Sequence, residues 1–311
     1  MNAVRLAAVD GADRRGGWRP GIDTRMATLE SAIASLLDRH RESIAATDRV
    51  TIAPDVHYPF HPSTGMVTDP AVVGAIAAWF DRETDTDLTV VGRSDDRIAF
   101  DRTASYLGYE RVLDRFGTDV VDVADESVPQ RNEYRAADGR SVALSVPEPL
   151  LDRTVIVVPT LRPSADGSAG GAMRTLASLV NCTADPARTA VAATRAIDPE
   201  LVLLDGTIAY GRDPVAANVL LSGSVPAVDA VGTSLLGRET DENDALSTLL
   251  EEGETPVAVE NPDEVDLASI RERLSGGQLP PTDETHPAVS TAYRIYAAAS
   301  GDAVPPQLEG R

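Results

Sequence analysis

Apolar positions along the chain gather in short, nearly continuous runs separated by longer stretches of helical period. Val50-Thr51-Ile52-Ala53-Pro54, residues 88–92, 119–123, Thr154-Val155-Ile156-Val157-Val158, 201–205, 218–222 and 255–259 read as strands, several of them apolar on both faces as buried parallel strands are. Helical patterns cover 70–82, 103–116 with a break at Gly108, 172–180, 227–236, 242–251, 265–274 and 287–299. Asp69-Pro70 is a strong helix start, with the aspartate as N-cap and the proline where a helix has no use for its missing N–H. Residues 140–146 alternate polar and apolar, as an edge strand or hairpin arm does.

Strands alternating with helices predict an α/β fold, a mostly parallel sheet flanked by helices and Rossmann-like in layout. The pattern fails between 127 and 140. That divides the chain into an N-terminal segment, 1–49, with one helix packing on the core, a first α/β lobe, 50–126, a second, 141–299, and a flexible tail, 300–311.

Composition narrows the chemistry. Arg supplies all 28 basic residues, against 49 acidic ones, for a net charge of −21. Nucleic-acid binding rests on neutralising phosphates with cations, so this balance argues against it. It suits a cytoplasmic protein of a salt-accumulating halophile, where molar salt screens the self-repulsion; a GC-rich genome would account for the missing lysine but not for the acidity. Residues 1–19 contain no apolar core of a signal peptide, and the longest apolar run, 71–80, is too short to span a bilayer, so neither secretion nor a membrane is expected.

Several cofactor classes fall away. One cysteine, Cys182, excludes a four-cysteine iron–sulfur cluster and an internal disulfide. Without lysine there is no P-loop and no Schiff base to pyridoxal phosphate (PLP). No G-x-G-x-x-G follows a strand, so NAD is not expected.

A series of segments in order resembles one family, DUF362, a prokaryotic family of unassigned function. They are Thr51-Ile52-Ala53-Pro54-Asp55, Ser63-Thr64-Gly65, Thr68-Asp69-Pro70, Val91-Gly92-Arg93-Ser94, Leu107-Gly108-Tyr109, Val157-Val158-Pro159-Thr160-Leu161-Arg162, the glycine loop with Arg174, Leu203-Leu204-Asp205-Gly206 and Ala227-Val228-Asp229-Ala230-Val231-Gly232. The resemblance implies one continuous domain over about 50–237 as the alternative to two lobes. The chain departs from the family pattern at Pro163-Ser164, where the family has Thr-His, and at Thr175, where it has Asn; it also lacks the ferredoxin-type cysteines of many relatives.

Ligands of open α/β sheets sit at the carboxyl ends of strands, which is where the candidate residues fall. Asp55, His57 and Asp205 are the candidate catalytic groups, able to exchange protons; Asp205 before Gly206 could equally make a turn. Arg93, Ser94, Arg162, Gly170, Gly171 and Arg174 are candidates for holding an anion, since guanidinium groups and helix-start amides suit phosphate or carboxylate. Read as a surface loop, Arg162 and Arg174 are expected to matter little for stability. Asp95, next to Asp96, and Asp229 are the candidates for a divalent cation, although Asp229 at a helix opening would also favour the helix dipole. The expected partner is a small anionic molecule. The function expected is its binding, with metal-assisted or acid–base chemistry; the alternative is a non-catalytic accessory protein with a degenerate site.

Overall fold

The structure, a computed structural model, describes residues 3–11, 22–57, 59–95, 98–128, 132–136, 140–164, 169–252 and 257–279. The helix expected over 287–299, the tail, Asp96 and the loop residues Gly167 and Ser168 lie outside them. From the amino end, β1 (Ala3–Ala8), α1 (Ile22–Leu37) and α2 (Arg41–Ala45) precede β2 (Arg49–Pro54). Then come α3 (Pro70–Glu83), β3 (Asp87–Gly92), α4 (Phe100–Leu107), α5 (Tyr109–Leu113) and β4 (Asp119–Asp122). A hairpin of β5 (Asn132–Arg135) and β6 (Ser141–Ser145) leads to β7 (Thr154–Val158).

Two short strands, β8 (Arg162–Pro163) and β9 (Ala169–Gly170), pair before α6 (Ala172–Leu179), β10 (Asn181–Cys182) and α7 (Pro186–Ile197). The remainder is β11 (Leu201–Gly206), β12 (Ala209–Tyr210), β13 (Pro214–Val215), β14 (Val219–Gly223), α8 (Val225–Leu235), α9 (Asp244–Glu252), β15 (Ala258–Glu260) and α10 (Leu267–Leu274).

Eight strands form one sheet in the order β15-β1-β14-β11-β7-β2-β3-β4. β11, β7, β2, β3 and β4 are mutually parallel, while β14 runs antiparallel to both β11 and β1. The α/β architecture read from the apolar pattern is therefore the architecture present. Strand alternation divides the core in two. Val50, Ile52, Val90, Ile156, Val158, Leu201 and Leu203 pack under α1, α3, α4 and α5. Ala53, Val91, Val155, Val157, Val202 and Leu204 point the other way, under α6 to α10. No helix among the described residues is long and apolar enough to cross a membrane.

Helix starts follow sequence chemistry. Asp69 accepts from the Ala71 amide at 2.9 Å and Pro70 opens α3. Asp185-Pro186 repeats the device at α7, a helix that the pattern reading passed over. Gly108, left-handed at φ 87°, ends α4 where a side chain would be strained, as the expected break required. The unpatterned stretch 127–140 contains β5, and β6 is the middle strand of a small sheet, β10-β6-β5.

The path of the chain fixes the place of the site. It winds outward through β2, β3 and β4, then returns to lay β7 on the other side of β2. Leaving β2 it enters α3 on one face, and leaving β7 it enters α6 on the opposite face. The carboxyl ends of β2 and β7 therefore flank a topological switch point.

Candidate functional site

Asp55 is the first residue past β2, and Arg162 lies four past the end of β7. The Arg162 guanidinium places Nε 3.0 Å and a terminal nitrogen 2.8 Å from Asp55 Oδ2. The other oxygen, Oδ1, is 3.0 Å from His57 Nδ1. Asp55 is 8% exposed. Burial alone would raise its carboxyl, but Arg162 and His57 reverse the effect and hold it at about 2. A carboxylate can only accept, so Nδ1 presents a proton to Asp55, and in the neutral imidazole Nε2 then holds the lone pair. An Arg162 terminal nitrogen stands 3.5 Å from the same Nδ1. His57 is the most open of the three, its side chain 40% exposed.

The backbone of Asp55 is held as firmly as its side chain. Its N–H donates to Val158 O at 3.1 Å and to Thr68 Oγ1 at 2.9 Å, and its carbonyl accepts from Thr68 N at 3.0 Å. Thr68 Oγ1 in turn donates to Val158 O, and the Tyr109 hydroxyl donates to Thr68 O at 3.1 Å. The Tyr109 hydroxyl is pushed well above its ordinary range by burial and then by the charges of Asp69, Asp205 and Asp55, so it stays a donor.

Asp205 is only 1% exposed. Oδ1 accepts from the Thr207 amide and hydroxyl at 2.9 and 2.6 Å, and Oδ2 from the Asp69 amide at 2.9 Å. Burial, then the charge of Asp69, raises its carboxyl against those bonds. The arrangement clasps β11 to the segment before α3; the turn considered from the sequence is present in the Thr207 contacts.

Across β7, Gly170 pairs with Arg162 through β8 and β9. Gly171 precedes α6, whose first two amides, Ala172 and Met173, donate to Asp229 Oδ1 and Oδ2 at 2.8 and 3.0 Å. The helix-start amides expected to attract an anion thus hold a carboxylate of the protein itself. A Cβ on Gly171 would stand 2.4 Å from that carboxylate. Asp229 lies in the second turn of α8, not at its opening, and serves α6 instead of its own helix. Burial pushes its carboxyl up to about 6, against the pull of the two amides and of Arg174. Arg174, in the first turn of α6, is shifted down by burial and then by the charge of Arg162, with Asp229 acting the other way. Arg162, Arg174, Asp55, His57 and Asp229 therefore belong to one electrostatic neighbourhood.

The candidates after β3 do not join it through any of these contacts. Arg93 donates to Leu179 O at 3.2 Å and to the Asn181 side chain, at the opposite end of α6 from the glycines. Ser94 contacts Asp122 through its amide and hydroxyl and accepts from the Phe100 amide at 2.7 Å. Asp95 Oδ1 accepts from the Ile98 amide at 2.9 Å. Asp95 and Asp229 thus have separate partners. Among the described residues no group of three or more His, Cys, Asp or Glu is arranged to hold a metal ion. His61 caps a turn through Ser63.

Arg162 is also more enclosed than a surface-loop residue, its side chain 14% exposed. Sequence reasoning missed Thr68 and Asp69 as site residues, as it missed Tyr109 and Arg25. Arg25 had a visible signal: a charge on the stripe formed by Ile22, Met26, Leu29, Ile33 and Leu36.

Comparison with known proteins supports the family resemblance. The model of the family described as Domain of unknown function (DUF362) matches residues 50–234. None of the curated proteins matches the chain. Among solved structures, the crystal structure of a protein from Thermotoga maritima aligns with a TM-score of 0.35 at 12% identity, over 60% of this chain and 53% of that one. The chain thus spans about half the length of that protein.

Proposed function

We propose that this chain, which belongs to the DUF362 family, binds a small metabolite bearing phosphate or carboxylate in the crevice at the switch point between β2 and β7. Arg162 and Arg174 take the anion, and the Asp55–His57 pair moves a proton at His57 Nε2. The observation that supports this is the buried Asp55–Arg162 pair joined to a half-open His57. A carboxylate that fixes the imidazole tautomer leaves the outer nitrogen free to act as a general base. The charge of Arg174 is disfavoured by that of Arg162, so an anion between the two guanidinium groups is favoured. We place the protein in a salt-rich cytoplasm, on the strength of its charge of −21.

A second reading, a non-catalytic binding or accessory protein, is favoured by the resident anions. Asp55 already occupies Arg162, and Asp229 already occupies the α6 amides.

Inorganic phosphate tests the shared part of both readings. At fixed ionic strength, phosphate at 100 times its dissociation constant should stabilise the protein by roughly 2.7 kcal/mol, where chloride does not. Arg174→Ala should abolish that shift. Equal melting curves in phosphate and chloride would sink the anion site. His57→Gln separates the readings: it should leave phosphate binding intact but stop conversion of any metabolite identified by native mass spectrometry.

A further inference from the structure

Arg25 is 6% exposed on the otherwise apolar face that α1 turns to the core. A guanidinium does not enter such a place without a partner. Its partner is Asp69: Nε is 2.8 Å from Oδ2 and a terminal nitrogen 2.7 Å from Oδ1, so both oxygens are taken by a two-pronged fork. Buried ion pairs of this kind are often no more stabilising than apolar residues of similar volume. What the fork adds is geometry, because it fixes the plane and position of the Asp69 carboxylate.

From Asp69 that geometry passes along hydrogen bonds already described. The amide of Asp69 meets Asp205, and its side chain caps α3. Thr68, one residue earlier, takes both the N–H and the carbonyl of Asp55. With its backbone held on both sides, Asp55 can direct one oxygen to His57 and the other to Arg162. We infer that Arg25, on a helix outside the matched segment 50–234, is a positioning residue of the site: through the Asp69–Thr68 clasp it aims the Asp55 carboxylate and so sets the tautomer of His57. The inference rests on reading Asp55 and His57 as the proton-moving pair.

The readout is the ring of His57 in long-range proton–nitrogen NMR spectra of the full chain, where only four histidines need assignment and His57→Gln identifies the signal. Wild type should show one tautomer, with the proton on Nδ1. Arg25→Ala strands a buried carboxylate and risks unfolding, so the informative variant is Arg25→Met with Asp69→Asn, which removes both charges and keeps an oxygen for the Ala71 amide. Loss of the single tautomer in the folded double variant is the expected result. Arg25→Lys retains charge without the fork and should give a partial loss. Arg41→Ala, which removes an exposed pair with Glu83, should leave the ring signals unchanged. Ring signals like wild type in folded double variant, or in Arg25→Lys should the double variant not fold, would overturn the inference. Failure of wild type to bind phosphate would remove the proposed ligand and leave this result standing.

Discussion

Asp55 and Asp229 are two carboxylates with nearly equal burial, 8% and 6% exposed, in the same electrostatic neighbourhood, yet their hold on a proton is shifted in opposite directions. Asp55 faces a guanidinium and an imidazole and is held at about 2; Asp229 faces two peptide amides, with the charge of Arg174 as a lesser influence, and rises to about 6. The burial is the same and the partners differ. A full charge in contact outweighs desolvation, whereas the partial charges of a helix start do not. One carboxylate is therefore a permanent anion and the other is poised to take a proton near neutrality.

The largest break in this comparison is removal of the full charge. Arg162→Ala strands Asp55 with only His57, and loss of one partner of a buried pair costs on the order of 3–5 kcal/mol. Chemical denaturation should show it, in contrast to the small effect that a surface loop would predict. A loss under about 1 kcal/mol would place Arg162 among ordinary exposed pairs.

The pH dependence of stability separates the two groups by sign. Asp55, depressed in the folded state, contributes stability above the unfolded value of ~3.9, and this is lost as pH falls from about 4 to 2. Asp229, raised in the folded state, contributes most below ~3.9 and loses it as pH rises from about 4 to 6. Each limb amounts to about 2–3 kcal/mol. Asp55→Asn should flatten the lower limb alone and Asp229→Asn the upper limb alone, read as differences from wild type in urea titrations. Matching slopes in all three proteins would show that the two carboxyls are not in the states described.

The two glycines sharpen the contrast at smaller scale. Gly171 has extended backbone, so Gly171→Ala fails only for want of space, 2.4 Å from a carboxylate pinned by two amides. It should cost ~1–3 kcal/mol. A Cβ on Gly170 would meet Arg162 Cγ and O at 3.2 Å, and Gly170→Ala should cost under about 1 kcal/mol. Equal thermal shifts would mean that Asp229 gives way freely.

The frame of the molecule was legible because its signals are local. Apolar runs such as Thr154–Val158 announce buried strands, and Asp69-Pro70 announces α3. The grouping of Asp55, His57, Arg162 and Arg174 followed from the rule that ligands meet strand ends, since each lies just past a strand or early in the helix after one. What stayed hidden depends on partners distant in sequence. Nothing near Asp229 says that its carboxylate leaves α8 for α6, or that Asp69 serves Arg25 as well as its own helix. Arg93 and Ser94 share the strand-end position, but turn to Leu179, Asn181 and Asp122.

β1 is bracketed by β14 and β15, with Ala8 opposite Val219 and Ala3 beside Ala258. During synthesis it emerges roughly two hundred residues ahead of its first neighbour, which at ~5–20 residues per second is a wait of about 10–40 s. Through that interval an apolar strand has no edge to join, and β14, once made, exposes its own edge until β1 arrives. Among the described residues β15 pairs only with β1, so this side of the sheet is completed only after β1 has joined β14. The nascent protein must keep β1 from other pairings until then.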